Sequence, residues 1–409
     1  MAQEQRSELF HYAWVIVFAG ALTLFACLGL ARFAFGMLLP SMREGLGLAY
    51  DQMGLVSTCN FAGYLVAVAL APLVIRRFRP RGTIAVSLLA IALCMFGIGR
   101  SETLGEVLCL YTLVGLGSGL ANIPAMVLVS HWFRRQRRGR AAGLMIVGNG
   151  SAIIFAGFLV PLLGRTLGEG SWRTAWMIMG LITLLIAAVA ARLLRNDPAD
   201  IGAEPLGGRG AVEEKELIPQ PERSAGRILI QLGLLYLLFG ATYMVYGTFI
   251  VTTMVEEYGF SQGRAGMFWS WVGFFSIFSG VLFGSLSDRI GRRGGLAAVF
   301  SLQTLAYLMA GSQAGSAALL ISFVLYGLSV FAVPTIMAAA VGDYLGLPRA
   351  AAGFSIVTFF FSAGQTVGPG SAGLIAEATG TFTSSYLLCA ALTAAAVLLT
   401  VLLPKREAS

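Results

Sequence analysis

Long apolar runs recur along the chain and alternate with short polar segments. Each run holds about twenty residues, which as a helix is enough to cross the ~30 Å hydrocarbon core of a bilayer. The number of runs predicts a polytopic helical membrane protein with twelve spans. The predicted spans are 12–40, 50–75, 82–100, 104–132, 138–164, 172–194, 226–255, 263–287, 294–313, 315–342, 350–377 and 383–404.

The composition supports the same class of protein. Of the 409 residues, 57% are apolar and 12% are charged, whereas an ordinary soluble domain carries about 25% charged residues. A soluble protein of this length needs more charge on its surface, so that class is excluded. The five cysteines lie in apolar segments without CxxC spacing, and there are two histidines. We therefore predict no metal site and no cofactor.

The basic residues fall mainly in alternate loops. Placing the N-terminus in the cytoplasm puts 22 of them in cytoplasmic segments and five in external ones, which is the bias expected from the positive-inside rule. We therefore expect a multi-pass protein of a bacterial inner membrane with both termini cytoplasmic. The net charge of +8 then predicts contact with anionic lipid rather than with nucleic acid.

A hydrophilic segment at 195–226 divides the spans six and six. Its prolines, its glycines and a charged run predict a flexible cytoplasmic linker between a first half, 1–194, and a second half, 227–409. Each half therefore forms one predicted six-helix domain.

The two halves repeat each other in sequence. A shift of 212 residues pairs Arg81 with Arg293, and from the fourth span a shift of 210 pairs Pro124 with Pro334. A register that holds across whole halves indicates duplication. A parallel six-plus-six repeat is a transporter architecture, in which the substrate binds between the halves near the midplane of the membrane.

The segment 284–293 has the sequence GSLSDRIGRR. It resembles the GxxxDRxGRR loop of the major facilitator superfamily. This resemblance implies an all-α membrane fold of twelve helices in two pseudo-repeated halves. The first-half counterpart has Arg76 where the second half has Asp288, so it departs from the pattern. The residues assigned to a conformational latch are Gly284, Asp288, Arg289, Gly291, Arg292 and Arg293.

Residues 364–373, GQTVGPGSAG, precede Glu377 and a Thr-Gly turn. This stretch is similar to the eleventh span of the monocarboxylate and oxalate/formate branch of that superfamily. A purely structural helix of small residues is the alternative. Tyr111 stands where proton-driven members of the superfamily often have an arginine. Because no acid lies at the centre of a span, Glu377 is the candidate for proton coupling.

Arg32 is the clearest charge inside a predicted span. Inserting arginine there costs at least ~2.5–3.5 kcal/mol, so the side chain normally faces a cavity or a partner. With no acid at a span centre, we expect it to bind an anion, most simply a carboxylate. Monocarboxylate-transporter relatives similarly place a basic residue in span one. The alternative is that Arg32 snorkels to the outer headgroups near Pro40.

Several other polar or aromatic side chains lie near the middle of spans, where they either contact a substrate or form bonds between helices. Met244 is the repeat counterpart of Arg32, so a cationic first half faces an aromatic second half. This arrangement suits a small carboxylate with an apolar body. The candidate substrate contacts besides Arg32 are Asn60, Tyr64, Asn122, Asn149, Tyr243, Tyr246, Trp269 and Gln365.

The sequence therefore predicts a monomeric secondary active transporter that moves a small organic anion by alternating access. A monocarboxylate is the favoured substrate, carried with a proton or by exchange. Efflux of lipophilic drugs is the first alternative, and a membrane receptor that transports nothing is the second. No phosphate-binding loop or catalytic constellation is visible, so we predict no enzyme activity.

Overall fold

The computed structural model describes residues 11–168, 170–207 and 222–404, and these residues are almost entirely helical. In the first half the helices are Ala13–Leu24, the π-helical Phe25–Phe33, Ala34–Leu46, Tyr50–Ile98, Leu104–Trp132, Arg135–Leu167 and Ser171–Leu193, with a 3₁₀ turn at Pro198–Ile201. In the second half they are Glu222–Thr252, the π-helical Thr253–Glu257, Gln262–Gly311, Ser316–Ser329, Ala332–Leu345, Leu347–Thr379 and Thr383–Val401.

Within the described ranges, nine helical stretches are long and apolar enough to cross a membrane. Two of them bend where the backbone leaves helical angles: Tyr50–Ile98 at Arg79 and Gln262–Gly311 at Gly291. Each of these two therefore provides two spans. Leu347–Thr379 provides one more. Numbered in chain order, the spans 1 to 12 agree with the twelve predicted from hydropathy.

The bundle has two faces, at which the spans end. The arginine-rich face carries the loops at 76–81, 134–140 and 289–293, and the opposite face carries the other ends of the same spans. Of the predicted linker, residues 208–221 lie outside the described residues. The division of the chain into domains at 195–226 stays a prediction.

Small residues allow the helices to approach each other closely. A Cβ on Gly63 of span 2 would lie 2.1 Å from the carbonyl oxygen of Thr112 in span 4. A Cβ on Gly36 of span 1 would lie 2.2 Å from the carbonyl oxygen of Gly247 in span 7. Such contacts are typical of helices packed in a membrane, where burial from water does not drive association.

The two halves meet along the parts of the spans nearer the opposite face. There, a Cβ on Gly54 would lie 2.5 Å from the carbonyl oxygen of Pro369. The halves are therefore closed together at the opposite face. Hydrogen bonds between them there include Ser57 with Thr248, Thr58 with the Thr366 carbonyl, Gln262 with Ser41, and Ser270 with the Ile154 carbonyl.

Candidate functional site

Arg32 lies near the end of the π-helical segment of span 1, and its side chain is 6% exposed. The guanidinium carbon is 4.5 Å from the ring centroid of Phe61 and 4.6 Å from that of Tyr64, both in span 2. These ring faces attract the cation. Its Nε and Nη2 atoms are buried and have no hydrogen-bond partner among the described residues.

Unpaired donors on a buried cation are costly. An unsatisfied buried donor costs ~1–3 kcal/mol, and more when the group is charged. The aromatic rings offer no lone pair in the guanidinium plane, so they leave the need for an acceptor unmet. Arg32 therefore presents two donor nitrogens, Nε and Nη2, without acceptors, which is the arrangement that a carboxylate satisfies.

The wall beside Arg32 in the first half is built by spans 2 and 4. The Tyr64 hydroxyl accepts a 3.0 Å hydrogen bond from Nδ2 of Asn122, so these two predicted residues lie together next to the cation. Asn60 has a different position. Its Nδ2 donates to the Tyr111 carbonyl at 2.9 Å, which fastens span 2 to span 4, while its Oδ1 has no described partner.

The second half contributes Tyr243 and Gln365 from spans 7 and 11. The Tyr243 hydroxyl lies beside the Arg32 guanidinium and accepts a hydrogen bond from Nε2 of Gln365. The Oε1 atom of Gln365 is buried without a described partner. The Tyr243 ring stacks on Phe239 at 4.7 Å and on Phe361 at 5.7 Å. A polar edge next to Arg32 thus continues into an apolar aromatic surface.

Three other predicted residues form no described hydrogen bond with Arg32, Tyr243 or Gln365. Tyr246 bonds to the Ser322 hydroxyl at 2.9 Å and stacks on Tyr326 at 4.1 Å, so it packs inside the second half. Trp269 in span 8 is fully buried, and its indole Nε1 has no described partner. Asn149 in span 5 is buried near Gly29, three residues before Arg32, and its Oδ1 also lacks a partner in the described structure.

Glu377 lies at the opposite face, away from Arg32. Its Oε2 accepts a 2.9 Å hydrogen bond from the backbone N–H of Tyr50, where span 2 begins. The carboxylate therefore caps a helix of the other half, where it is also favoured by the helix dipole. The predicted role of Glu377 in proton coupling stays a prediction, now located at a contact between the halves.

Sequence reasoning missed the ion pair beside Glu377. Arg43 Nη1 donates to Glu256 Oε2 at 2.7 Å, and the Tyr50 hydroxyl donates to the same oxygen at 2.7 Å. The repeat gives no signal for this pair, because the counterpart of Arg43 is Val255. A basic and an acidic residue at the ends of the repeat-related spans 1 and 7 were the available clue.

The predicted latch residues surround the bend between spans 8 and 9. Arg292 donates from Nη1 to Asp288 at 2.5 Å and from Nε to Asp343 at 2.6 Å, so it ties the loop to the end of span 10. Gly291 has φ 81°, which glycine adopts readily. Gly284 lies where a Cβ would contact Thr335 at 3.4 Å. Arg289 is exposed on the same face.

Residues 24–402 match the family model described as "Uncharacterised MFS-type transporter YbfB", where MFS denotes the major facilitator superfamily. The chain is 26% identical over 405 residues to monocarboxylate transporter 11 of Mus musculus, covering 92% of this chain and 84% of that protein. It is 24% identical over 198 residues to a phosphoglycerate transporter protein of Salmonella typhimurium. That second match covers 47% of this chain and 41% of the relative, less than half of its length.

The fold is also shared with solved structures. The xylose transporter XylE from E. coli, in a partially occluded inward-open conformation, superposes with a TM-score of 0.74 at 13% identity. The match covers 97% of this chain and 100% of XylE. The predicted all-α fold of twelve helices in two six-helix halves is thereby confirmed.

Proposed function

Because the chain belongs to the major facilitator superfamily, we propose that it is a secondary active transporter of a small organic anion. Its family and its relatives are transporters, so the chain is a transporter and not an enzyme. The proposed substrate is a monocarboxylate, and the proposed location is a bacterial inner membrane with the arginine-rich face in the cytoplasm. Transport proceeds by alternating access between the two halves.

The observation that carries this proposal is the state of Arg32. Its guanidinium is buried at the interface of the halves, two of its donor atoms lack acceptors, and it forms no described salt bridge. A substrate carboxylate supplies both the charge and the lone pairs that the protein leaves out. The mouse and Salmonella relatives are named for carrying monocarboxylates and phosphoglycerate, which are organic anions.

The second half supports a substrate with an apolar body. Tyr243 and Gln365 place a hydroxyl and an amide next to Arg32, and the Phe239 and Phe361 rings continue from Tyr243. In this proposal the carboxylate binds Arg32, and the remainder of the substrate packs on these rings. Because the site contains groups from both halves, binding favours the conformation in which they lie together.

For coupling, we propose exchange of anions or cotransport with a proton carried by Glu377. Protonation of Glu377 removes the negative charge that caps the start of span 2. This weakens one of the contacts that close the opposite face. A proton taken up there therefore favours opening on that side, which links protonation to the direction of access.

A panel of carboxylates with matched amides tests the substrate class. Purified protein is heated with acetate, butyrate, benzoate or phenylacetate, and with the corresponding primary amides. At least one carboxylate is expected to raise the melting temperature because it binds the folded state, while its amide does not. The same carboxylate, radiolabelled, is expected to show counterflow in proteoliposomes.

Three results oppose the proposal in different ways. Stabilisation by tetraphenylphosphonium but by none of the acids supports efflux of lipophilic cations. Equal stabilisation by a carboxylate and its amide excludes recognition of the anionic charge. Binding of a carboxylate without counterflow supports a receptor rather than a transporter.

A further inference from the structure

The loop between spans 2 and 3 has the same backbone as its counterpart between spans 8 and 9. Arg79 has φ 59° and ψ 161°, and Gly291, 212 residues later, has φ 81° and ψ 159°. This region of conformational space is essentially reserved for glycine, and other residues are strained there by ~1–3 kcal/mol. An arginine kept in such a conformation needs a compensating role for its side chain.

The two repeat-related loops also share one hydrogen bond. Arg81 donates from Nε to the Ala191 carbonyl at 2.8 Å, and Arg293 donates from Nη1 to the Leu403 carbonyl at 3.4 Å. With the shift of 210 residues that holds from the fourth span, the counterpart of Ala191 is Val401, two residues before Leu403. Each half therefore ties the same loop to the end of its sixth span.

The symmetry breaks at the next connection. In the second half, Arg292 ties the loop to Asp343 at the end of span 10. The first half has Pro80 in place of Arg292, and Phe133 lies at the position of Asp343. Neither side chain forms an ion pair, so the direct link from the loop to the end of span 4 is lost.

A residue from the start of the linker restores that link. Asp197 Oδ2 accepts from Arg79 Nη2 at 3.0 Å, and its Oδ1 lies 3.0 Å from Nδ1 of His131 at the end of span 4. The same Nδ1 is 3.1 Å from the Asn196 carbonyl. Both neighbours are acceptors, which assigns the proton of the ring to Nδ1.

We propose that Asp197 is a positioning residue that does for the first half what the Arg292–Asp343 pair does for the second. It joins the loop at Arg79 to the end of span 4, so that these helix ends move as one body when the halves rearrange. Single exposed ion pairs contribute little, but Asp197 binds two partners with two oxygens. The strain at Arg79 is the independent sign that this contact is used.

Further contacts hold this part of the linker in place. Trp132 Nε1 donates to the Arg195 carbonyl at 3.0 Å, and Arg81 N–H donates to Asn196 Oδ1 at 2.9 Å. The backbones of Trp132 and Leu206 also bond at 2.9 Å. Asp197 therefore lies on a segment that is anchored on both sides, which fixes the carboxylate between its partners.

Hydrogen exchange of the full chain in nanodiscs tests the contact. Asp197→Asn and Arg79→Gly are each expected to raise exchange of the amides at 196–206 roughly fivefold. Arg79→Gly relieves the backbone strain, so a folding defect does not confuse its result. The effects of the two changes are expected to add up to less than their sum in the double variant, because both remove the Arg79–Asp197 pair, while Arg79 also pairs with Asp200 at 3.6 Å and Asp197 with His131. Glu204→Gln is the matched control, because it removes an acid of the same segment whose 3.3 Å pair is with Arg134 and not with the loop at Arg79.

Spin labels test the positioning role, and this second measurement rests on the proposed alternating access. Labels at Glu102 and Ala314, on the opposite-face ends of the two halves, report whether that face is open. Asp197→Asn is expected to change the ratio of open to closed populations about threefold, and Glu204→Gln to leave it unchanged. If Asp197→Asn speeds hydrogen exchange but leaves the ratio of open to closed populations unchanged, the positioning role is overturned. If the effects of Asp197→Asn and Arg79→Gly on exchange are additive, or no larger than that of Glu204→Gln, the contact itself is overturned. A wild-type protein with a single population contradicts alternating access, while the exchange measurement still decides the contact.

Discussion

Arg43 of the first half donates a 2.7 Å hydrogen bond to Glu256 of the second half, at the face where the halves are closed. The Tyr50 ring lies against the Arg43 guanidinium at 4.3 Å, and its hydroxyl bonds to the same carboxylate. Span 1, span 2 and span 7 thus meet at one ion pair. Because the partners belong to different halves, this contact must break whenever the opposite face opens.

The first prediction concerns this pair. Glu256→Gln is expected to raise the open population at the opposite face about two- to fivefold, since a partly exposed pair contributes ~0.5–1 kcal/mol. Spin labels at Glu102 and Ala314 measure the populations, with exposed native cysteines replaced by serine. Glu44→Gln, at the repeat counterpart of Glu256, is the control and is expected to change nothing. High salt should reduce the difference in open population between the wild type and Glu256→Gln, because it screens the ion pair. A change of equal size in Glu256→Gln and Glu44→Gln argues against a closing role for the pair.

The second prediction separates the two acids at Arg292. Asp343 connects span 10 to the loop, whereas Asp288 lies in the loop itself, four residues before Arg292 and across the bend at Gly291. Asp343→Asn is therefore expected to lower the melting temperature and to shift the conformational equilibrium more than Asp288→Asn does. The difference is about 0.5–1 kcal/mol because both acids are partly exposed. If Asp288→Asn is the more damaging change, the latch depends on a contact other than the Asp343 bond.

Topology is the third prediction, and it rests on the bias of basic residues. A cysteine at Ile201 is expected to react with an impermeant maleimide only in inverted vesicles. A cysteine at Ala314 is expected to react only from the outside of intact cells. Both positions are exposed. The reverse pattern overturns the placement of the arginine-rich face in the cytoplasm, and labelling of both from one side overturns the span count.

The fourth prediction compares two tyrosines of span 7. Tyr243→Phe removes the hydroxyl beside Arg32 and is expected to weaken carboxylate binding about three- to tenfold, the effect of one hydrogen bond. Tyr246→Phe removes the bond to Ser322 and is expected to lower the melting temperature while leaving binding unchanged. Isothermal titration and thermal unfolding of both variants provide the measurements. If carboxylate binding weakens equally in Tyr243→Phe and Tyr246→Phe, the assignment of Tyr243 to the binding site and of Tyr246 to packing within the second half is wrong.

How far the sequence predicts the molecule depends on the kind of signal. The spans follow from continuous apolar runs, and the loop at Asp288 follows from its spacing. Tyr243 and Tyr246 are three residues apart on one helix, and hydropathy does not tell which one faces Arg32. That choice depends on the rotation of span 7 about its axis, which packing against spans 10 and 11 decides. Both residues were therefore predicted as contacts, and the structure brings only Tyr243 to Arg32.

Other features leave no pattern in the sequence. In the π-helical segment at Phe25–Phe33 the backbone hydrogen bonds span five residues instead of the four of an α-helix. A run of apolar residues does not reveal this change. The contact of Asp197 with Arg79 joins two polar segments that have no periodicity. Its carboxylate was part of a predicted flexible linker, because composition indicates solvation and does not indicate a docking partner.

The last prediction concerns Arg32, on which the substrate class depends. Arg32→Lys keeps the charge but loses the planar pair of donors, so binding of the active carboxylate should weaken. Arg32→Gln also removes the charge and should cost ~2–5 kcal/mol of binding free energy if the pair is shielded from water. The ligand-free protein should be no less stable with Gln, because an uncompensated buried charge is gone. Arg76→Gln, at an exposed arginine, is the control for net charge. Unchanged affinity in Arg32→Gln would falsify the anion anchor, and a large loss of ligand-free stability would show that the protein itself compensates the cation.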